Sequence, residues 1–168
     1  NLMNKFLYFL VIFFLLISCS KNNKKSMSYV ENTDYLALNS FIKDSLPEFK
    51  NLDRDYSNIF NQWKDVEIII SSSKIVSSDS KQLSFLLDNL KTEIKKINDK
   101  RFYDSFNIPQ IIGRFRVYKT NLLKINSIKI DSQNIQNFKN DLKSIVISYN
   151  ALINMINKIA KESIEKTN

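Results

Sequence analysis

The side chains that could perform catalysis in this sequence are carboxylates, and their spacing is unfavourable for it. Asp53 with Asp55, and Glu162 with Glu165, are the pairs that could act as general acid and base or as metal ligands. Residues at positions i and i+2 do not share a helix face, so the two aspartates cannot converge on one ligand from a helix. The two glutamates lie near the last residues, where we expect a helix to fray. We therefore predict no catalytic residue and no metal site.

The composition excludes most other catalytic designs. The 168 residues include no His, one Cys and one Gly. Without His, the chain cannot build a His/Cys zinc site, a Ser-His-Asp triad, a Cys-His dyad or a Glu-x-x-His di-iron site. One Gly is too few for a glycine-rich phosphate loop, and one Cys cannot form an intrachain disulfide. The sequence thus predicts a protein that is not an enzyme and holds no cofactor.

The single cysteine, Cys19, follows an uncharged apolar run from Phe6 to Ile17. As a helix, this run would span about 18 Å, which is short of the roughly 30 Å hydrocarbon core of a membrane. It is therefore typical of the apolar region of a signal peptide. The run ends in Leu16-Ile17-Ser18-Cys19, which resembles the lipobox of bacterial lipoprotein signal peptides: an aliphatic residue, a tolerant position, a small residue and Cys.

The lipobox resemblance implies a processing route and a location. It implies that diacylglycerol is transferred to the Cys19 thiol, that the chain is cleaved after Ser18, and that the new amine receives a further, palmitate-type acyl chain. Several acyl chains would make the membrane anchor effectively permanent. An ordinary secretory signal with a coincidental Cys is the alternative. Ser20 resembles the sorting preference for the outer membrane. The basic residues that follow lack the acidic side chains that resemble a surface-export signal in Bacteroidota, so we expect an envelope protein on the periplasmic face of that membrane, with the cell surface as the alternative.

Three segments follow from these features. Residues 1–18 are predicted to be a cleaved signal peptide, residues 19–31 a flexible basic tether, and residues 32–168 a helical bundle domain. Lys21, Lys24 and Lys25 in the tether could contact anionic headgroups, or could simply keep the tether solvated.

Apolar residues repeat with alternating spacings of three and four, which places a seam of them along one side of a helix. A short leading helix from about Thr33 to Leu46 carries Leu38, Phe41 and Ile42. The second seam comprises Phe49, Leu52, Tyr56, Ile59, Trp63, Val66 and Ile70. The third comprises Leu83, Leu87, Leu90, Ile94 and Ile97, with Phe102 and Phe106 beyond it. The fourth comprises Ile111, Phe115, Tyr118, Leu122 and Ile125. The fifth comprises Ile135, Phe138, Leu142, Ile145, Tyr149, Leu152, Ile156 and Ile159.

These seams predict an all-α fold, an antiparallel four-helix bundle of long heptad-striped helices preceded by a short helix. Pro47, the serine-rich stretch from Ser71 to Ser80, and Pro109 would interrupt the seams, which argues against one continuous coiled coil. Asn107 is predicted to cap the helix that carries the fourth seam, with Pro109 in its first turn.

The net charge of +8 alone would suggest nucleic-acid binding. Most of this excess is Lys, in a chain that is also rich in Asn and Ile, and the export signal would keep the protein away from the genome. We therefore predict no nucleic-acid partner, and we interpret the lysines as solvated helix faces.

Arginine is scarcer and more concentrated than lysine. Three of the four arginines, Arg101, Arg114 and Arg116, lie close together in the sequence. Arginine and aromatic residues are enriched at interface hot spots because they combine planar hydrogen bonding with large contact areas. The candidate partner surface comprises Arg101, Phe102, Tyr103, Arg114, Arg116 and Tyr118. In the alternative interpretation, the aromatic residues fill the end of the bundle and the arginines pair with carboxylates.

The segment from Pro109 to Leu123 resembles, loosely, a stretch of helical lipoproteins of Bacteroidota. This resemblance implies an envelope bundle and brings no catalytic residues with it; a spirochaete surface lipoprotein is the competing source. Three functions stay open. The first is an interaction or scaffold module that binds an envelope protein. The second is a small-ligand or lipid-binding bundle with a pocket near Trp63 and Phe102. The third is a surface-exposed adhesin or host-factor binder.

Overall fold

The computed structural model describes residues 27–98, 102–126 and 133–166. Within these ranges every regular element is helical and none is a strand, which confirms the predicted all-α class. The predicted signal peptide, Cys19 and Arg101 lie outside the described residues. The α-helices are α1 (Met27–Asp44), α2 (Ser57–Phe60), α3 (Val66–Ile70), α4 (Ser80–Lys96), α5 (Pro109–Lys124) and α6 (Ile135–Glu165). Three 3₁₀ turns span Arg54–Tyr56, Ser71–Ile75 and Asp104–Phe106.

The chain divides into two units, Asn1–Thr33 and Asp34–Asn168, and the second contains the core described below. The seams predicted for the last three helices are buried almost throughout, as Ile94, Phe115 and Leu152 illustrate. Since a buried aliphatic side chain contributes roughly 1.5–3 kcal/mol, these seams supply much of the driving force for folding.

Helices α4 and α5 run in opposite directions. The Lys91 ammonium near the middle of α4 donates to the carbonyl of Ile125, just beyond the end of α5. Just beyond the end of α4, the carbonyl of Ile97 accepts a hydrogen bond of 3.0 Å from the Lys119 ammonium. Carbonyl groups at the C-terminal end of a helix have no hydrogen-bond donor within that helix. The two lysines supply donors to such carbonyl groups at the ends of α5 and α4.

Helices α5 and α6 are also antiparallel. The Asn121 amide donates to the carbonyl of Ser144 at 3.3 Å and to the hydroxyl of Ser148 at 3.1 Å. Lys124, one turn later on α5, forms an ion pair of 3.4 Å with Asp141, one turn earlier on α6. Beyond these polar contacts, toward the start of α5, the ring centroids of Tyr118 and Tyr149 lie 5.9 Å apart.

The prediction of one continuous helix through the second seam is wrong. Residues 47–53 form a non-helical segment, which we call the strap, and the chain from Arg54 to Ile75 is divided into short helical turns. Side chains compete here for the backbone groups that a helix would use. The carboxylate of Asp53 accepts from the amide of Asp55 at 3.1 Å, and asparagines of α6 bind the strap backbone. The seam nevertheless identified core residues, because Trp63 and Val66 are buried.

The positions of the prolines predicted the helix ends more accurately than the expected capping residues did. Helix α1 ends at Asp44, and Pro47 begins the strap rather than a new helix. Helix α1 begins at Met27, earlier than the predicted start near Thr33, so the described end of the predicted tether is helical. Pro109 lies in the first turn of α5 as predicted, but the helix begins at Pro109 itself and its N-cap is Ile108 and not Asn107. Ile108 provides no side-chain hydrogen bond to the helix, and Pro109 reduces the need for one because it has no N–H to satisfy.

Candidate functional site

The aromatic members of the predicted partner surface lie mainly in the core. Phe102 is buried, and its ring centroid is 4.8 Å from that of Trp63 and 5.1 Å from that of Phe115. Tyr118 is fully buried. Tyr103 is half-buried and packs 6.0 Å from Phe106. Phe102 and Tyr118 therefore cannot contact a partner at the surface, in agreement with the alternative that these rings fill the end of the bundle.

The hydroxyl of Tyr118 shares a hydrogen bond with that of Ser72, a buried residue of the second 3₁₀ turn. Burial raises the pKa of Tyr118 above its ordinary value of 10.0, although the hydrogen bond from Ser72 opposes this effect. Burial also raises the pKa of Tyr149 to about 12. Both phenols are therefore neutral structural groups at physiological pH.

The two described arginines of the predicted surface do not converge on one site. Arg114 is half-buried, and its guanidinium donates to the carbonyl of Gln110 at 2.9 Å. Arg116 is exposed and lies two positions further along α5, so it occupies a different face of the helix. Among the described members of the predicted set, only Arg114 lines the surface depression described next.

A shallow depression of about 250 Å³ lies between α5 and α6, and we call it the α5–α6 groove. Its lining residues are Pro109, Gln110, Gly113, Arg114, Val117, Ser148 and Ala151. The space beside Gly113 is open, because a Cβ atom built there would meet nothing within 4 Å. Val117 is 57% exposed, and Ile147 on the outer side of α6 is 54% exposed.

A second depression, the strap cavity, has a volume of about 440 Å³ and lies beside the strap. Its apolar lining includes Leu52, Ile70 and Tyr149, and its polar lining is formed by Asn51, Arg54, Glu67, Ser71, Ser73 and Lys74. This position differs from the pocket predicted near Trp63 and Phe102, where the two buried rings pack against each other.

Three asparagines of α6 fix the strap. The amide of Asn150 accepts from the N–H of Lys50 at 2.8 Å and donates to the carbonyl of Glu48 at 2.8 Å. Asn157 repeats this two-bond arrangement with the N–H of Asp53 at 2.9 Å and the carbonyl of Asn51 at 3.0 Å.

The third asparagine, Asn154, lies between them and accepts from the Lys50 ammonium at 2.9 Å. We call Asn150, Asn154 and Asn157 the asparagine ladder. The asparagine ladder was not predicted from the sequence, although the spacings of four and three place the three asparagines along one side of the helix.

The carboxylates considered for catalysis have structural partners. Asp53 accepts from the backbone of Asp55, whereas Glu162 and Glu165 lie 3.7 Å from Lys158 and 3.8 Å from Lys161. In the described ranges, no three Asp, Glu, Cys or His side chains come together as a metal-binding group. Among the same residues, the buried indole nitrogen of Trp63 has no hydrogen-bond partner.

Comparisons of the chain with protein-family models, with curated proteins and with solved structures found no match. Among the helices of the described residues, none has both the length and the apolar character that a membrane crossing requires. The sequence motif at Cys19 and the surfaces described above are therefore the features from which we infer a function.

Proposed function

We propose that the protein is a lipid-anchored, non-catalytic module of the cell envelope that binds a partner protein in the α5–α6 groove. The supporting observation is the groove itself, in which Gly113 and Ala151 allow close approach while Val117 beside them is mostly exposed. Small residues allow a helix to approach the surface, and apolar side chains beside them supply contact area. The lipobox-like sequence at Cys19 supports the anchor.

The chemistry of the groove favours an amphipathic helix as the partner element. Such a helix would place an apolar stripe against Gly113, Val117 and Ala151. An acidic side chain on it would face Arg114, the charged residue of the groove lining. Cleavage after Ser18 would remove Lys5 and lower the net charge from +8 to +7, which still favours an acidic partner, since complementary charge accelerates and orients association.

The fold that we propose for the domain is a helical bundle in which α4, α5 and α6 are three members. The strap and the turns from Arg54 to Ile75 take the place of the long helix predicted from the second seam. The asparagine ladder and the hydrogen bond between Ser72 and Tyr118 support this arrangement, because they attach that segment to α6 and α5. The location that we propose is the periplasmic face of the outer membrane.

Site-specific photo-crosslinking in intact cells tests the groove. A photoreactive residue at Val117 should give a discrete adduct, whose crosslinked peptide forms an amphipathic helix with an acidic residue. The same residue at Lys161, exposed near the end of α6, should give none. Gly113→Gln should remove the adduct by filling the groove, whereas Gly113→Ala should retain it. An adduct of equal yield at both positions, or one unaffected by Gly113→Gln, would contradict the proposal.

A further inference from the structure

The strap cavity, a depression open to solvent, is lined by side chains of opposite charge. Arg54 and Lys74 supply two cationic groups, and Glu67 supplies a carboxylate. Within the described part of the chain, none of these three side chains forms a hydrogen bond or an ion pair. Their charges are therefore available to a ligand that carries charges of both signs.

The two serines of the cavity lining add hydrogen-bond acceptors. The Ser71 hydroxyl donates its proton to the carbonyl of Ile68 at 2.6 Å, and the Ser73 hydroxyl donates to the carbonyl of Ile70 at 2.8 Å. A hydroxyl whose proton is used in this way retains its lone pairs. Both serines thus offer oxygen acceptors, which are suited to an ammonium donor and complement Glu67.

The remaining lining suits a small aliphatic group. Leu52 and Ile70 are half-buried, and the ring of Tyr149 is buried. The volume of about 440 Å³ falls within the range of about 300–1,000 Å³ that is typical of small-molecule sites. The strap wall is held in place by Asn157, which binds the backbone of Asn51 and Asp53. The site is therefore formed before any ligand arrives.

We propose that the strap cavity binds a free α-amino acid with an aliphatic side chain. Arg54 and Lys74 hold its carboxylate, because a guanidinium and an ammonium both donate to carboxylate oxygens. Glu67, with the acceptor oxygens of Ser71 and Ser73, holds its ammonium group. Leu52, Ile70 and the Tyr149 ring contact its side chain. This site is separate from the α5–α6 groove and does not depend on partner binding there.

Calorimetric titration of the full-length chain in detergent tests this assignment with three probes. L-Leucine carries both charges, N-acetyl-L-leucine lacks the ammonium, and L-leucinamide lacks the carboxylate. Leucine should bind saturably, and each analogue should bind about 10-fold to 100-fold more weakly, since a hydrogen-bonded charge contributes about 1.5–3 kcal/mol. Equal binding of leucine and N-acetyl-leucine would overturn the proposal by showing a general anion site, as would no saturable heat with leucine.

Variants assign the two ends of the ligand. Glu67→Gln should weaken leucine binding to the level of N-acetyl-leucine, and Arg54→Gln with Lys74→Gln should weaken it to the level of leucinamide. Glu93→Gln and Lys96→Gln, an exposed ion pair on α4, serve as matched controls and should leave binding unchanged. Because Arg54, Glu67 and Lys74 are exposed, these substitutions should preserve the fold. Stronger leucine binding in Glu67→Gln would overturn the assignment of the ammonium end.

Discussion

Ser72 and Tyr118 lie 46 positions apart in the sequence and share a hydrogen bond between their hydroxyl groups in the core. Both side chains are fully buried, so neither hydroxyl can turn to bulk water if the other is removed. The bond connects the turn Ser71–Ile75 to the middle of α5. It therefore fixes the position of the irregular segment against a long helix, in a region where apolar contacts alone would tolerate sliding.

Single substitutions of this pair should be costly, and the double substitution should be less costly than their sum. Ser72→Ala and Tyr118→Phe should each lower the free energy of unfolding by about 1–3 kcal/mol, because each leaves one buried hydroxyl without a partner. Ser72→Ala combined with Tyr118→Phe removes both polar groups and should recover part of that loss. Urea denaturation of the four proteins measures the coupling. Strictly additive effects would show that the bond does not couple the two elements.

Alkaline pH should destabilise the fold through its buried phenols. Burial raises the pKa of Tyr149 from 10.0 to about 12, so the folded state keeps a proton that the unfolded state loses. The resulting stability is complete below about pH 10 and is lost as pH rises through the folded pKa. For Tyr149 this loss amounts to about 3 kcal/mol.

Denaturation curves across this alkaline range, recorded for the native chain and for Tyr149→Phe, isolate the effect from lysine titration. The native chain should lose stability more steeply than the variant. Identical slopes would mean that the Tyr149 phenol is solvated in the folded protein.

The asparagine ladder should be sensitive to charge at two of its three positions. Asn150→Asp and Asn157→Asp keep the size of the side chain but set an oxygen against the carbonyl of Glu48 or Asn51. Each should lower the free energy of unfolding by about 1–3 kcal/mol and increase hydrogen exchange in the strap.

Asn154→Asp is the matched control, because its partner is the Lys50 ammonium rather than the backbone. This change should be neutral or stabilising by up to about 1 kcal/mol. Equal destabilisation at all three positions would indicate a general effect of negative charge on α6 and not the loss of backbone recognition.

Gly113→Ala should stabilise the protein. The glycine lies inside α5, and an added Cβ would meet nothing within 4 Å. Alanine should therefore raise the free energy of unfolding by about 0.5–1 kcal/mol, the difference in helix propensity between the two residues. Thermal denaturation measures this change. A lower melting temperature in Gly113→Ala would show that the position requires the flexibility of glycine.

The long helices were predictable from the sequence because their seams are regular and their side chains have no competing role. The buried positions of α4, α5 and α6 match the predicted spacing, as Leu87, Leu122 and Ile156 illustrate. The second seam correctly predicted buried residues such as Trp63 but wrongly predicted a continuous helix. An apolar pattern indicates which side chains are buried, but it does not indicate which groups form hydrogen bonds with the backbone. In the strap, side chains of α6 bind the backbone groups of Lys50 and Asp53.

The candidate sites were less predictable than the fold. The arginine and aromatic cluster of the sequence separates in three dimensions, because helical geometry sends Tyr118 into the core and leaves Arg116 exposed. Ser72 is one of three consecutive serines, and the adjacent sequence does not indicate that Ser72 is the buried one of the three. The strap cavity joins residues from Asn51 to Tyr149, so its composition depends on a tertiary contact that no local pattern encodes.

Metabolic labelling with an alkyne-tagged palmitate analogue tests the central claim most directly, namely that acyl chains on Cys19 hold this module at a membrane. We expect the native chain to incorporate the label and to partition into the detergent phase. Cys19→Ala should do neither, whereas Ser20→Ala, the neighbouring control, should retain both properties. A Cys19→Ala protein that is still labelled and still partitions into detergent would contradict the account.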